Sequence, residues 1–377
     1  MFTLDEALSA IKDKPEFTVR DRDFGTVIDY NVAFAESFTG VDERTTLILQ
    51  NLRGTCFNRE GKIISLPYHK FHNLGENAEY HESKFDFSQP HTIQEKLDGS
   101  MIRPIPINGS WEFGTRAGVT DVAMKAWHLY YAWRTTDYVK YVAYNTLIED
   151  CLDMDLTPMF EFCSREQRIV IDYPEPRLVL TGIRSNSTGG YLSEGIMLQL
   201  ARDHVDVVKT VLTTQSSIAE FAAGVKELLG EEGVVVKFDD GRFVKIKAAD
   251  YCLKHRALDG LRFEKDVLKL ILSGGIDDVL PLVTPEVKER IEGYRESVHE
   301  RLEFATRWML KQFDKYKNLG SKKEFAEAVK DFPLRNGMFK MWDGKEYQLS
   351  DFVLTKCGSQ TDVDSIRWLI GRTYYSF

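Results

Sequence analysis

The stretch Glu95-Lys96-Leu97-Asp98-Gly99-Ser100 sets a lysine three residues before a glycine, with an aspartate between. Ile93 precedes it and Met101-Ile102 follow, the pattern of a short strand running into a tight turn with Lys96 at the strand end. A lysine is a nucleophile only as the neutral amine. Its reference pKa of about 10.4 means that burial or neighbouring cations must bring it down. The alternative is a surface turn in which Asp98-Gly99 is hairpin chemistry and Lys96 is solvated.

Partners for such a lysine recur along the chain. Arg53 lies in Asn51-Leu52-Arg53-Gly54 and Lys70 in Tyr68-His69-Lys70-Phe71, each beside apolar neighbours, as a snorkelling side chain or an anion ligand. Arg116 follows a strand at Trp111-Glu112-Phe113-Gly114. Lys245 and Lys247 are two apart on a strand and share a face, which costs energy unless an anion sits between them; an exposed strand face is the simpler reading. Glu161, between Phe160 and Phe162, points away from both, to solvent or to a polar cleft. Glu232 opens a further strand, Glu232-Gly233-Val234-Val235-Val236. Tyr30 ends a strand, where a half-buried tyrosine is the simple reading. Together the cations suit a triphosphate and would favour a neutral Lys96. The carboxylates suit a hard divalent metal such as Mg²⁺ bridging phosphate oxygens. Such a set would let the lysine attack an α-phosphate.

The elements that must position these residues are legible in outline. The chain has 377 residues, enough for two domains, with 43% hydrophobic and 28% charged residues, as in a soluble globular protein. A net charge of −9 excludes a uniformly basic coat for nucleic acid but not a local basic cleft. No apolar run reaches the length of a membrane span and no secretory signal is visible. Five cysteines without a C-x-x-C pair indicate neither a zinc site nor a disulfide framework, so a reducing cytoplasm is expected.

Residues 3–13 read as a helix, and 17–20 and 26–30 as strands. Residues 51–57 and 61–67 read as one hairpin, and 101–106 and 111–118 as another. Residues 120–150 read as a covering helical segment. Residues 158–163, 168–173 and 178–184 read as strands, 203–229 as two helices, and 231–237 and 242–247 as a hairpin. From Ala248 helical spacing takes over. Thr284-Pro285-Glu286 is a helix start, and a stripe from Val287 to Phe313 carries that helix to about residue 316. Further helices are expected over 321–331 and 361–373. The change of texture places a domain boundary near residue 254.

The order of these blocks resembles the covalent nucleotidyltransferases: ATP-dependent DNA ligases, RNA ligases and mRNA capping enzymes. Glu95-Lys96-Leu97-Asp98-Gly99 is similar to motif I, Phe160-Glu161-Phe162 to motif III and Leu178–Arg184 to motif IIIa. Glu232-Gly233-Val234-Val235 resembles motif IV and Val244-Lys245-Ile246-Lys247 resembles motif V. The five span some 150 residues. Leu52-Arg53-Gly54, Pro67, Lys70-Phe71 and Asn73-Leu74 narrow the resemblance to the phage RNA ligase 1 family, typified by the T-even phage enzyme.

The resemblance implies an α+β fold. An adenylyltransferase (nucleotidyltransferase) domain, with ATP-grasp-like antiparallel sheets and flanking helices, is expected over 1–254. An all-α C-terminal domain over 255–377 would serve RNA-end or tRNA specificity. Lys96 would carry AMP as a phosphoramide, and Tyr30, Arg53, Lys70, Lys245 and Lys247 would contact ATP. Glu95, Glu161, Glu232 and Tyr251 would also serve the nucleotide, and Arg116 matches a basic residue the family needs. Glu161, Glu232 and Asp277 would serve Mg²⁺ or Mn²⁺. A second aromatic usual after the lysine at position 70 is here His72, which departs from the family. The implied reaction joins 5′-phosphate and 3′-hydroxyl RNA ends, single-stranded or in a nicked tRNA anticodon loop. It would be carried out by a monomer in the host bacterial cytoplasm during phage infection, alongside a polynucleotide kinase-phosphatase. A DNA ligase or capping guanylyltransferase would share the motifs but should continue into an OB-fold, whereas this chain continues into helices. A non-catalytic nucleic-acid-binding relative should have lost Lys96 or a motif V lysine, and all are present.

Overall fold

The computed structural model describes every residue except 32, 33, 35, 360–362, 372 and 375–377. The chain divides into two units, Met1–Cys252 and Leu253–Phe377. The first is α+β. Its strands are β1 (Phe17–Arg22), β2 (Gly25–Tyr30), β3 (Thr55–Phe57), β4 (Ile63–Ser65), β5 (His91–Glu95), β6 (Ser100–Ile107), β7 (Ser110–Gly114), β8 (Leu156–Cys163), β9 (Arg177–Ser185), β10 (Gly233–Phe238) and β11 (Phe243–Lys247). Its helices are α1 (Leu4–Ala10), α2 (Glu43–Asn51), α3 (Asp121–Thr136), α4 (Tyr138–Asp153), α5 (Glu194–Ala201) and α6 (Ile218–Lys226). The strands form three antiparallel sheets, ordered β1-β2-β3-β4, β11-β10-β5 and β7-β6-β8-β9.

Alternation along the strands builds the second and third sheets. On β10 and β11, Val234, Val236, Phe238, Val244 and Ile246 enter a core with Ile218, Phe221 and Val225 of α6. Val235 and Lys237, Lys245 and Lys247 are left for the other face. On β8, Phe160 and Phe162 join a core closed by α3, α4 and α5, which leaves Met159 and Glu161 opposite. A register shift at Met159/Phe160 adds Thr181 to β9 as an extra residue, and its hydroxyl donates to Met159 O at 3.0 Å.

Three expectations need correction, and the helical segment over 120–150 is resolved further. Residues 168–173 are not a strand: the Val170 and Ile171 amides donate to the Asp98 carboxylate, both at 2.8 Å, so a side chain takes the bonds that a ladder would use. Helical residues in 203–229 are limited to α6. The preceding segment is an extended strap, pairing Val207 with Leu180 of β9 and Thr210 with Gln94 of β5. The 120–150 segment is two helices, because Asp137 ends one, its amide donating to Trp133 O at 2.9 Å, and caps the next, accepting from Lys140 N at 3.1 Å. Asn51 closes α2 rather than opening a strand; α2 carries two threonines in its first turns and draws its start from the Asp42 cap.

α7 (Ala249–Gly260) begins the helical texture. The second unit then holds α8 (Glu264–Ser273), α9 (Ile276–Val279), α10 (Pro285–Tyr316), α11 (Lys322–Val329), α12 (Arg335–Trp342), α13 (Leu349–Ser359) and α14 (Arg367–Ile370). Thr284 caps α10, and Ile291, Tyr294, Val298, Leu302 and Met309 are its buried stripe. Of the helix expected over 361–373, the described part is a single turn at Asp364–Ile366 and then α14, ended by Gly371 at φ +83°; residues 361, 362 and 372 lie outside the described residues. Glu264 fixes this end. It accepts from Arg367 at 2.7 and 2.8 Å, from the Tyr294 hydroxyl at 2.9 Å and from the Tyr374 amide at 3.1 Å. Arg367 is partly exposed and keeps Asp364 at 3.1 Å, so loss of Glu264 chiefly takes the acceptor from the buried Tyr294 hydroxyl and Tyr374 amide. Glu264→Ala should therefore lower stability by about 1–3 kcal/mol in urea unfolding followed by circular dichroism; an unchanged midpoint would show that the clamp carries no stability.

Candidate active site

Lys96 follows β5, which holds it in place through the amide of Glu95, donating to Lys209 O at 3.0 Å, and its own amide, donating to Gly233 O at 2.8 Å. Gly233 has φ +134°, and a Cβ there would strike Ile246 O, so only glycine lets the two strands close at this point. The turn after Lys96 is fixed from inside. Asp98 is buried; besides the two loop amides its carboxylate accepts the Tyr251 hydroxyl at 2.7 Å, and its own amide donates to the Tyr173 hydroxyl at 3.1 Å. The Lys96 side chain therefore leaves a rigid turn. It is not a solvated hairpin lysine: its amine meets Glu232 Oε2 at 2.7 Å, and Lys247 meets Oε1 of the same buried carboxylate at 3.0 Å.

These groups face a pocket of about 290 Å³. The second sheet contributes Gln94, Glu95, Val235, Lys237, Lys245 and Lys247, the third Met101, Glu161 and Thr181. Tyr30, Arg53, Tyr68, Lys70 and Phe71 complete one wall. Six cations thus line one cavity, and they perturb one another. Burial, with Lys70, Lys96 and Arg53 nearby, pushes the Lys245 amine down to about 7. Burial pushes the Glu161 carboxyl up to about 7 against the opposing charge of Lys96. Burial raises the Tyr30 phenol, but Arg53, Lys70 and Arg116 together outweigh it and the net shift is downward. Arg116 lies over the Tyr30 ring at 4.2 Å, with its Nε 3.5 Å from the buried Asp29.

The structure thus gathers Tyr30, Arg53, Lys70, Glu95, Lys96, Glu161, Lys245 and Lys247 around one cavity. Arg116 stands behind Tyr30, Glu232 behind the two lysines, and Tyr251 against Asp98 with Lys247 over its ring at 4.9 Å. Asp277 is in the second unit, where it pairs with Arg295 at 2.9 Å. His72 pairs with Glu76 at 2.7 Å and packs on Tyr80, while Phe71 faces the pocket with Lys245 5.1 Å over its ring.

Lys237 and Tyr68 are pocket residues that motif reading passes over, and Thr181 lies in the motif IIIa stretch without having been singled out. Lys237 donates to Thr181 O at 2.8 Å and to the Tyr68 hydroxyl at 3.2 Å, and burial pushes its amine down to about 7. Alternation from Gly233 was the available signal, since it puts Val235 and Lys237 on one face. Asp98 was visible as part of the lysine stretch, but its role as the organiser of loop 170–173 was not.

A sequence model of the RNA ligase family matches residues 51–256, more than half of the chain and all of the residues that build the lysine turn and its cation ring except Tyr30. The chain belongs to the RNA ligase family. A candidate RNA ligase of Thermovibrio ammonificans is 30% identical over 297 residues, covering 76% of this chain and 74% of that protein. RNA ligase 1 of Bacteriophage TS2126 is 26% identical over 251 residues, 65% of this chain and 60% of its own length. Among solved structures, Naegleria gruberi RNA ligase with PPi aligns over 61% of this chain and 65% of its own, at 15% identity and a TM-score of 0.40. Among the described residues of this RNA ligase, no helix is long and apolar enough to cross a membrane.

The charge state of Glu161 has a consequence for stability. Its folded pKa lies above the ordinary glutamate value of about 4.5, so the folded state binds the proton more tightly. The stability it contributes is complete below about pH 4.5 and is lost as pH rises through about 7. Glu161→Gln, which stays neutral, should match the parent at pH 4.5 and exceed it by about 1–3 kcal/mol at pH 8 in urea unfolding. A constant difference between the two pH values would contradict this reading.

Proposed function

We propose that the pocket binds ATP and that Lys96 takes its adenylyl group on the way to joining RNA ends. The observation that carries this reading is the Lys96 amine at the edge of a cavity lined by six cations, held by a buried carboxylate. Arg53, Lys70, Lys245 and Lys247 suit the phosphates. Phe71, Met101 and Val235 offer apolar surface for the base, and Lys237 and Thr181 offer hydrogen-bonding groups at that end.

Glu232 Oε2, 2.7 Å from the amine, is in position to take the Lys96 proton. The Lys96 lone pair then forms a bond to the α-phosphorus, and pyrophosphate leaves with the electrons of the broken P–O bond. The 5′-phosphate of one RNA end displaces Lys96 from the adenylate. The 3′-hydroxyl of the other end attacks that activated phosphate, AMP leaves, and a phosphodiester is sealed.

The donor set also suits a divalent metal. Among the described residues no three acidic, histidine or cysteine side chains gather as a metal cluster. A hard ion here would take one or two carboxylates, Glu161 first because it faces the cavity, and complete its shell with phosphate oxygens and water, as Mg²⁺ does. When bound, it would neutralise charge developing on the phosphates. Glu232, behind Lys96 and Lys247, is the further candidate carboxylate of this reading, whereas Asp277 pairs with Arg295 in the second unit and is given no part in it; Arg116 acts by fixing Tyr30.

The RNA is proposed to be cleaved RNA in the cytoplasm, such as a nicked tRNA anticodon loop, with the second unit selecting the ends. A kinase-phosphatase activity would supply the 5′-phosphate and 3′-hydroxyl. One relative, of Autographa californica nuclear polyhedrosis virus, is described as a candidate bifunctional polynucleotide kinase/RNA ligase, and this chain spans 41% of it at 28% identity.

Two experiments test the reading. With α-³²P-ATP and Mg²⁺, the protein should carry label through a denaturing gel, and Lys96→Ala should lose at least 99% of it while still sealing RNA that is already adenylated. Label retained in Lys96→Ala would sink the nucleophile, and label from GTP instead would make the chain a guanylyltransferase. The second concerns Lys245, whose amine lies near 7 without an anion. A triphosphate restores its charge, so binding of α,β-methylene ATP at pH 8 should take up close to one proton, read by calorimetry in buffers of different ionisation enthalpy. Lys245→Arg should take up less; identical uptake by the two would contradict the assignment.

A further inference from the structure

We propose that the turn joining α3 and α4 is a stacking platform for single-stranded RNA, remote from the reacting atoms. The proposal rests on the reading of the chain as an RNA-joining enzyme. Tyr131 and Tyr138, on either side of the turn, are 50% and 65% exposed. The guanidinium of Arg134 lies between the helices, 4.9 Å from the Tyr131 ring centre and 5.7 Å from that of Tyr141, and donates to the Tyr131 hydroxyl at 2.7 Å. Tyr141 stacks on Tyr138 with centres 6.2 Å apart and planes 28° apart. The four side chains form a row of ring, guanidinium, ring and ring.

The exposed ends of the row, Tyr131 and Tyr138, are not what holds the helices together. Tyr130, Trp133 and Tyr144 do that from below, all buried against the third sheet, with Tyr141 packed on Tyr130 at 5.0 Å between ring centres. The turn is stiff, because Asp137 caps both helices at once. Asp137 is engaged in that cap, and among the described residues no carboxylate pairs with Arg134. Its charge is therefore available to a phosphate.

The chemistry favours nucleic acid over protein. A nucleobase has two π faces that stack on tyrosine and on guanidinium planes, and each nucleotide brings one anion. A purely apolar partner would leave the guanidinium uncompensated. α3 starts five residues after Arg116, and Tyr131 lies roughly 15 Å along it. The helices cover the face of the third sheet opposite the one that bears Glu161. The platform therefore reaches only RNA long enough to pass around that edge, and it binds strand away from the break.

The test compares RNAs of about 4 and about 20 nucleotides by fluorescence anisotropy, in the full chain. Tyr131→Ala with Tyr138→Ala should weaken binding of the long RNA by about tenfold or more and leave the short one unchanged. Labelling by ATP should stay at the parent level, and the double phenylalanine variant should bind as the parent does. Arg134→Ala should reduce the slope of log affinity against log salt by about 0.7. Unchanged affinity for the long RNA would overturn the proposal, as would an equal loss for both RNAs. Conversion of a dimer to a monomer by the alanine pair, with RNA affinity kept, would assign the surface to a second copy instead. A parent that labels with ATP yet binds neither RNA would overturn the RNA reading of the whole enzyme.

Discussion

Crowding of positive charge around one buried carboxylate is the constraint on which the site depends. Glu232 holds Lys96 and Lys247 at ion-pair distance, and four more cations line the same cavity. Like charges so close repel in a medium that screens them poorly, and the chain relieves this by shifting proton affinities rather than by adding acids. Lys245 falls to about 7 through burial and then its cationic neighbours, whereas Lys237 falls to about 7 through burial alone. A protein tolerates such a cavity when an anion is its normal occupant.

The backbone serves this arrangement at a few points. Gly233 lets β10 and β11 close where Glu232 and Lys247 must meet. Asp98 replaces a strand ladder with two side-chain bonds and so makes the turn after Lys96 stiff. The strap from Asp206 to Val211 ties β9 to β5 and accepts the amide of Glu95 through Lys209. Lys96 is thus placed by contacts from loops distant in sequence, through backbone bonds and the Asp98 carboxylate.

Much of this was legible in the sequence, for physical reasons that can be named. Period-two alternation exposed β10 and β11 as strands with one apolar and one charged face, and Pro285 after Thr284 announced α10. Lysine before Asp-Gly marked the strand end at Lys96. What stayed hidden were long-range substitutions for local structure. Residues 168–173 look like a strand because Ile169, Val170 and Ile171 are β-branched, but Asp98 takes the amides of Val170 and Ile171. The 203–217 strap is periodic enough to suggest a helix, yet its backbone bonds lie on two different sheets. Alternation put Lys237 on the face of Val235, but that this lysine is buried there has no sequence pattern of its own.

The most direct measurement is a crystal of the protein soaked with ATP and Mg²⁺ and refined at high resolution, with the modified residue confirmed by tandem mass spectrometry. The account predicts AMP bonded to Lys96 Nζ, with its phosphate among the cations and its base against Phe71 and Val235. AMP bonded to another residue, or nucleotide bound outside this cavity with Lys96 still paired to Glu232, would contradict it.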